Sequence, residues 1–174
     1  MDEKRWENAV AFHGHHCPGL AIGVRASEEA IKALNIGFSE DEDVVCITEN
    51  DACGVDGVQV ILGCSVGKGN LIFRNRGKQA FSFFNRNTGE KLRLVLKALP
   101  EMGRDEMEAY ILTEPDANKI FEFKTPDYEL PERARIFQSV ICEVCGEKTA
   151  EPMIRLENGK KVCIDCSNPY SRGF

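Results

Sequence analysis

KQAFSFFNRNTGEKLRLVLK, residues 78–97, reads as two short strands joined by a tight connection. Leu92, Leu94 and Leu96 recur at every second position and so share one face, while Arg-Asn-Thr-Gly at 86–89 carries the turn chemistry. Working outward, NLIFRNRG (70–77) is a third strand candidate, and DVVCITE (43–49), β-branched and flanked by polar residues, is a buried strand. KIFEFKT (119–125) is the last strand before the breakers Pro126 and Pro131. Helical spacing appears between these segments: a short helix over 2–11 and a better one from Pro18, stopped by Gly37. Two more are expected over VDGVQVIL (55–62) and RDEMEAYILTE (104–114). Strands interspersed with helices predict an α+β body with a mixed sheet.

The chain of 174 residues accommodates one domain and a small appendage, expected here as 1–130 and 131–174. No run approaches the roughly 20 apolar residues of a membrane helix, and the opening MDEKRWENAVAF holds no signal-like apolar stretch, so a cytoplasmic protein is expected. Charge divides unevenly. The first 130 residues hold 15 basic against 22 acidic side chains, and the remainder 7 against 6. An acidic body gives no electrostatic help with phosphate backbones, which argues against a nucleic-acid partner.

Eight cysteines in an intracellular chain point to metal or chemistry rather than to disulfides. Cys142-x-x-Cys145 and Cys163-x-x-Cys166, 17 residues apart, offer four soft thiolates for a tetrahedral zinc, and Asn158-Gly159 between them marks a hairpin turn. A ribbon this small cannot bury enough apolar surface to fold alone, so its zinc is structural, and the closed four-thiolate shell leaves no place for substrate.

All three histidines of the chain fall in FHGHHCPGLAIGVRA (12–26), beside a cysteine. His13, His15 and Cys17 alternate, so an extended backbone would turn them to one side and leave His16 as the bystander. Cys17 precedes Pro18 at the helix N-cap, where unpaired amides and the helix dipole favour a thiolate. A single such residue would be read as a cap or a small core residue, but three converging ones suggest a metal or acid/base cluster. In ENDACGVDGVQVILGCSVGKGNL (49–71), Asp51 and Cys53 follow a strand at a junction where α/β proteins place ligands. Cys53 is then either a fourth member of the cluster or a buried thiol. Cys46 and Cys64 lie in apolar runs and belong to the core. GCSVGKGN is not a phosphate loop, since Leu62 and Gly69 stand where that motif needs glycine and a hydroxyl residue. Lys68 is either a cation for an anionic substrate or a solvated turn lysine.

FHGHHCPGLAIGVRA, ENDACGVDGVQVILGCSVGKGNL and GKQAFSFF, in that order, resemble the FmdE family, named for a subunit encoded with molybdenum or tungsten formylmethanofuran dehydrogenase. The resemblance implies a thioredoxin-like core with a mixed sheet flanked by helices, a homodimer, and in some members a following zinc domain. It implies that His13, His15, Cys17, Asp51, Cys53 and Lys68 line one cleft. It also suggests a formylmethanofuran dehydrogenase-type enzyme as partner. The N-terminal body has no CxxC, so such a fold would not bring thioredoxin chemistry. Two functions result: a zinc-binding accessory protein with a second transition metal on His15 and Cys17 in the cleft, or an enzyme. In the enzyme, Cys17 attacks a carbonyl or C1 substrate with His13 or His15 as base.

Overall fold

The computed structural model describes residues 2–168 and Arg172. The chain divides into two compact units, Met1–Ala134 and Arg135–Phe174. In the first, helices α1 (Glu3–His13) and α2 (Pro18–Leu34) precede strand β1 (Val44–Thr48), helix α3 (Gly54–Leu62) and strands β2 (Leu71–Phe73), β3 (Ala80–Asn85) and β4 (Lys91–Leu96). Helix α4 (Arg104–Thr113) and strand β5 (Phe121–Lys124) complete it. The sheet order is β2-β1-β3-β4-β5, with β1 and β2 parallel and the other neighbours antiparallel, so the sheet is mixed.

Strand alternation sorts the sheet into two faces. Val44, Cys46, Phe81, Phe83 and Leu94 join Ala26, Ala30, Val58 and Ile111 of the helices in the main core. Val45, Ile47 and Phe84 point the other way and are covered by Tyr128 and Leu130 from the segment after β5. Helix α2 is buried along most of its length, unlike α1 and α4. Its buried Arg25 is held by Glu29 at 2.9 Å and reaches the Ile111 and Leu112 carbonyls at the end of α4, which satisfies a charge that would otherwise be costly to bury.

Helices α2 and α3 cross at a contact only glycine permits. A Cβ on Gly23 would lie 1.8 Å from the Gly54 carbonyl oxygen, and one on Gly57 would lie 2.7 Å from the Val24 nitrogen. This close approach brings the start of α3 against the start of α2, and with it Cys53 against Cys17.

Three local expectations need correction. Helix α1 runs on to His13 and closes on Gly14 in the left-handed region, φ 90°, so His13 is helical rather than extended. Helix α2 ends earlier than Gly37, because Asn35 itself takes the left-handed cap, φ 48°. The β2 strand stops at Phe73, since residues 74–78 leave the sheet in a turn anchored on the Glu49 carbonyl, which accepts from Arg76 N and Lys78 N.

In the second unit, β6 (Ser139–Ile141) pairs with β7 (Lys148–Ala150), and β8 (Ile154–Glu157) with β9 (Lys160–Cys163). The β8–β9 connection is Asn158-Gly159, both with positive φ (49° and 79°), the conformation that a two-residue hairpin requires.

Candidate metal centres

The ligand atoms of Cys142, Cys145, Cys163 and Cys166 all lie within 4.8 Å of one another. Tetrahedral zinc at its usual bond length to sulfur spaces the sulfurs about 3.8 Å apart; Cys145 Sγ and Cys163 Sγ stand at 3.9 Å. The first knuckle turns at Gly146, φ 78°, whose N–H donates to the Cys142 carbonyl. Backbone N–H groups of Cys145, Cys163 and Val144 hold the Cys142 thiol down to about 6, toward the thiolate that zinc needs. The donor set fits a structural zinc.

The second group is His13, His15 and Cys17, again with every ligand atom within 4.8 Å of the others. The expected convergence is therefore present, although it is reached by a helix end and its glycine turn rather than by an extended run. The imidazoles of His13 and His15 lie 4.5 Å apart, and His13 Nε2 is 3.9 Å from Cys17 Sγ. Cys17 is the N-cap of α2; its sulfur, 3% exposed, accepts from Leu20 N at 3.3 Å, one of the amides a helix start leaves unpaired.

The other nitrogen of His13 is fixed from α3. Asp56 Oδ2 lies 2.7 Å from His13 Nδ1, and Gln59 Nε2 donates to Asp56 Oδ1 at 3.1 Å. With the carboxylate at Nδ1, the proton sits on that nitrogen and Nε2 presents its lone pair toward Cys17, the arrangement a metal-binding histidine needs. Nothing in the sequence singles out Asp56 or Gln59. Both lie inside an apolar helical run, and the only available hint is the spacing of Asp56 three residues after Cys53.

Cys53 opens α3 against Cys17: a Cβ on Gly19 would meet Cys53 Sγ at 3.6 Å and Cys17 Sγ at 3.8 Å. It remains outside the mutually close trio. Burial, then the hydrogen bond and charge of Cys17, push its thiol up. His13, Asp51, Cys53 and Asp56 line one cavity of about 560 Å³, whose apolar wall is Val55, Val66, Leu71 and Phe73. Lys68 is not among its lining residues; its ammonium donates to the Ser39 carbonyl at 2.7 Å and lies over the Phe38 ring. His16 stands apart, exposed, 3.2 Å from the Glu108 carboxylate. Cys46 and Cys64 are core residues, and burial pushes Cys64 up to about 12.

Residues 12–137 match the family described as FmdE, molybdenum formylmethanofuran dehydrogenase operon, and residues 135–172 match the prokaryotic dksA/traR C4-type zinc finger. A protein of Archaeoglobus fulgidus named as a probable S-adenosyl-L-methionine-binding protein is 32% identical over 93% of this chain. The chain spans about half of that relative, 52%. Among solved structures, an FmdE-like protein of the tungsten formylmethanofuran dehydrogenase type from Syntrophus aciditrophicus superposes with a TM-score of 0.69. It is 26% identical, and the match covers 94% of this chain and 90% of that one.

Proposed function

The chain belongs to the FmdE family and carries a structural zinc on its cysteine quartet, and from this premise we propose that it is an accessory protein with a second zinc in the N-terminal cleft. His13, His15 and Cys17 are its ligands, Asp56 orients His13, and Asp51 and Cys53 border the open side. The observation that carries this reading is the shared trio of ligand atoms with one histidine nitrogen already engaged by a carboxylate.

Three protein ligands leave one position for an outside donor, and a zinc there supplies Lewis-acid polarisation of whatever oxygen or sulfur takes it. The chain's own residues hold Nε2 of His13 toward the site and cover Cys17, whose burial favours a ligand over a nucleophile that must reach substrate. Family membership supports a formylmethanofuran dehydrogenase-type enzyme as the protein served, with this chain a homodimer on a thioredoxin-like core. Thiols that must stay reduced for metal suit the cytoplasm.

Metal content tests the cleft. The reading expects two zinc per chain, falling to one in a His15→Ala, Cys17→Ser variant; one zinc in both proteins refutes it. A second reading follows from the Archaeoglobus relative: S-adenosyl-L-methionine in the cavity beside Asp51 and Asp56, whose carboxylates complement its cationic groups. Saturable binding that is lost in Asp51→Asn would support it, and no heat on titration would remove it.

A further inference from the structure

On the sheet face turned away from α2 and α3, a separate cavity of about 400 Å³ gathers most of the local positive charge. Arg74, Arg76, Lys78, Arg93 and Lys124 line it against only Glu49 and Asp127, in a chain whose net charge is −6. Arg93 is committed to Glu49 through two bonds of 2.6 and 2.9 Å, and Lys124 pairs with Glu122 at 2.8 Å. Among the described residues, no carboxylate forms an ion pair with Arg74, Arg76 or Lys78.

The segment bearing these three cations is fixed. Arg74 N donates to Thr48 O, and Arg76 N and Lys78 N both donate to Glu49 O, at 2.8 and 3.2 Å. Asn75 Oδ1 accepts from Gly77 N, which turns through a positive φ of 65°. The Arg74 guanidinium lies 4.3 Å from the centre of the Tyr128 ring, and the Tyr128 hydroxyl is anchored on Ser82 at 2.7 Å. Holding three like charges together costs free energy unless an anion joins them. A solvated face of flexible lysines would need none of this anchoring.

We propose that this cavity binds a small oxyanion carrying several negative charges, a phosphoryl or polycarboxylate group gripped by Arg74, Arg76 and Lys78. The Tyr128 ring already contacts Arg74 and Phe84, and it is the only aromatic side chain in the lining. A stacked base is therefore not what the cavity reads; the charge is. The volume suits a small ligand rather than a macromolecule.

Calorimetric titration of the full-length, zinc-loaded protein with inorganic pyrophosphate and, separately, with tricarballylate tests this. At least one of them binds saturably at one per chain, more weakly at about 0.15 M salt than at low ionic strength. Pyrophosphate alone assigns a phosphoryl ligand, tricarballylate alone a carboxylate. The Arg76→Ala, Lys78→Ala variant loses about tenfold or more in affinity, with zinc content and unfolding midpoint unchanged because both side chains are exposed. Arg74→Gln gives a second, independent loss. No saturation with either anion, or equal affinity in the parent and both variants, overturns the proposal.

Discussion

Substituting Gly23 by alanine sets two opposing effects against each other. An alanine in a helix interior is favoured over glycine by about 1 kcal/mol. Against this, its Cβ would meet Gly54 O at 1.8 Å, Gly54 C at 2.5 Å and Gly54 Cα at 2.6 Å. All three are backbone atoms, so no side chain can rotate aside. Moving the closest contact from 1.8 to even 3.0 Å requires α3 to retreat 1.2 Å from α2. Forcing extra volume into a close-packed contact costs about 1–3 kcal/mol, and a rigid backbone neighbour places this case at the upper end. The net effect is a loss of about 2 kcal/mol, which at typical urea slopes lowers the unfolding midpoint by about 1 M. Gly67→Ala, where nothing lies within 4 Å, is the control and shifts it little. Because the crossing also seats Cys53 against Cys17, the alanine variant should bind metal more weakly in the cleft. A Gly23→Ala protein as stable as its parent would refute the glycine-crossing account.

Other expectations follow from single contacts. Asp56→Asn frees His13 Nδ1 from its carboxylate and should weaken cleft zinc about 10- to 100-fold in a competition titration without unfolding the chain; unchanged affinity would deny Asp56 an orienting role. Cys145→Ser, Cys166→Ser should lose the ribbon zinc and the amide-exchange protection of 139–163 together, because the metal supplies most of that unit's stability. Cys46 and Cys64 should resist alkylation until the protein unfolds, since both are buried and burial raises both thiols; mass mapping of labelled peptides checks this. Hydrogen bonding to Arg93 holds Glu49 below the usual carboxylate range. A depressed carboxyl stabilises above its unfolded pKa and loses that contribution as pH falls through the folded value, so Glu49→Gln should flatten the acid limb of stability against pH.

The strands were legible because period-two alternation and the 86–89 turn are local signals, and the structure pairs β3 with β4 across that turn. Likewise, Cys-x-x-Cys spacing and Asn158-Gly159 encode the ribbon within one short segment. What stayed hidden depends on distant partners. The end of α2 at Asn35 was missed because asparagine can take the left-handed cap without glycine. Convergence of His13, His15 and Cys17 was visible, but its cause was not: a helix end and Gly14 do what an extended strand was expected to do. Asp56 and the basic cavity were invisible for the same reason, since the sequence does not say that residue 56 meets residue 13, or that 74–78 meets 93 and 124.

Anomalous scattering above the zinc edge from crystals of the zinc-loaded protein tests the central claim most directly. Two peaks per chain are predicted, one enclosed by the sulfurs of Cys142, Cys145, Cys163 and Cys166, the other contacting His13 Nε2, His15 and Cys17 Sγ. A single peak in the ribbon, with His13 and Cys17 free of metal, would contradict it.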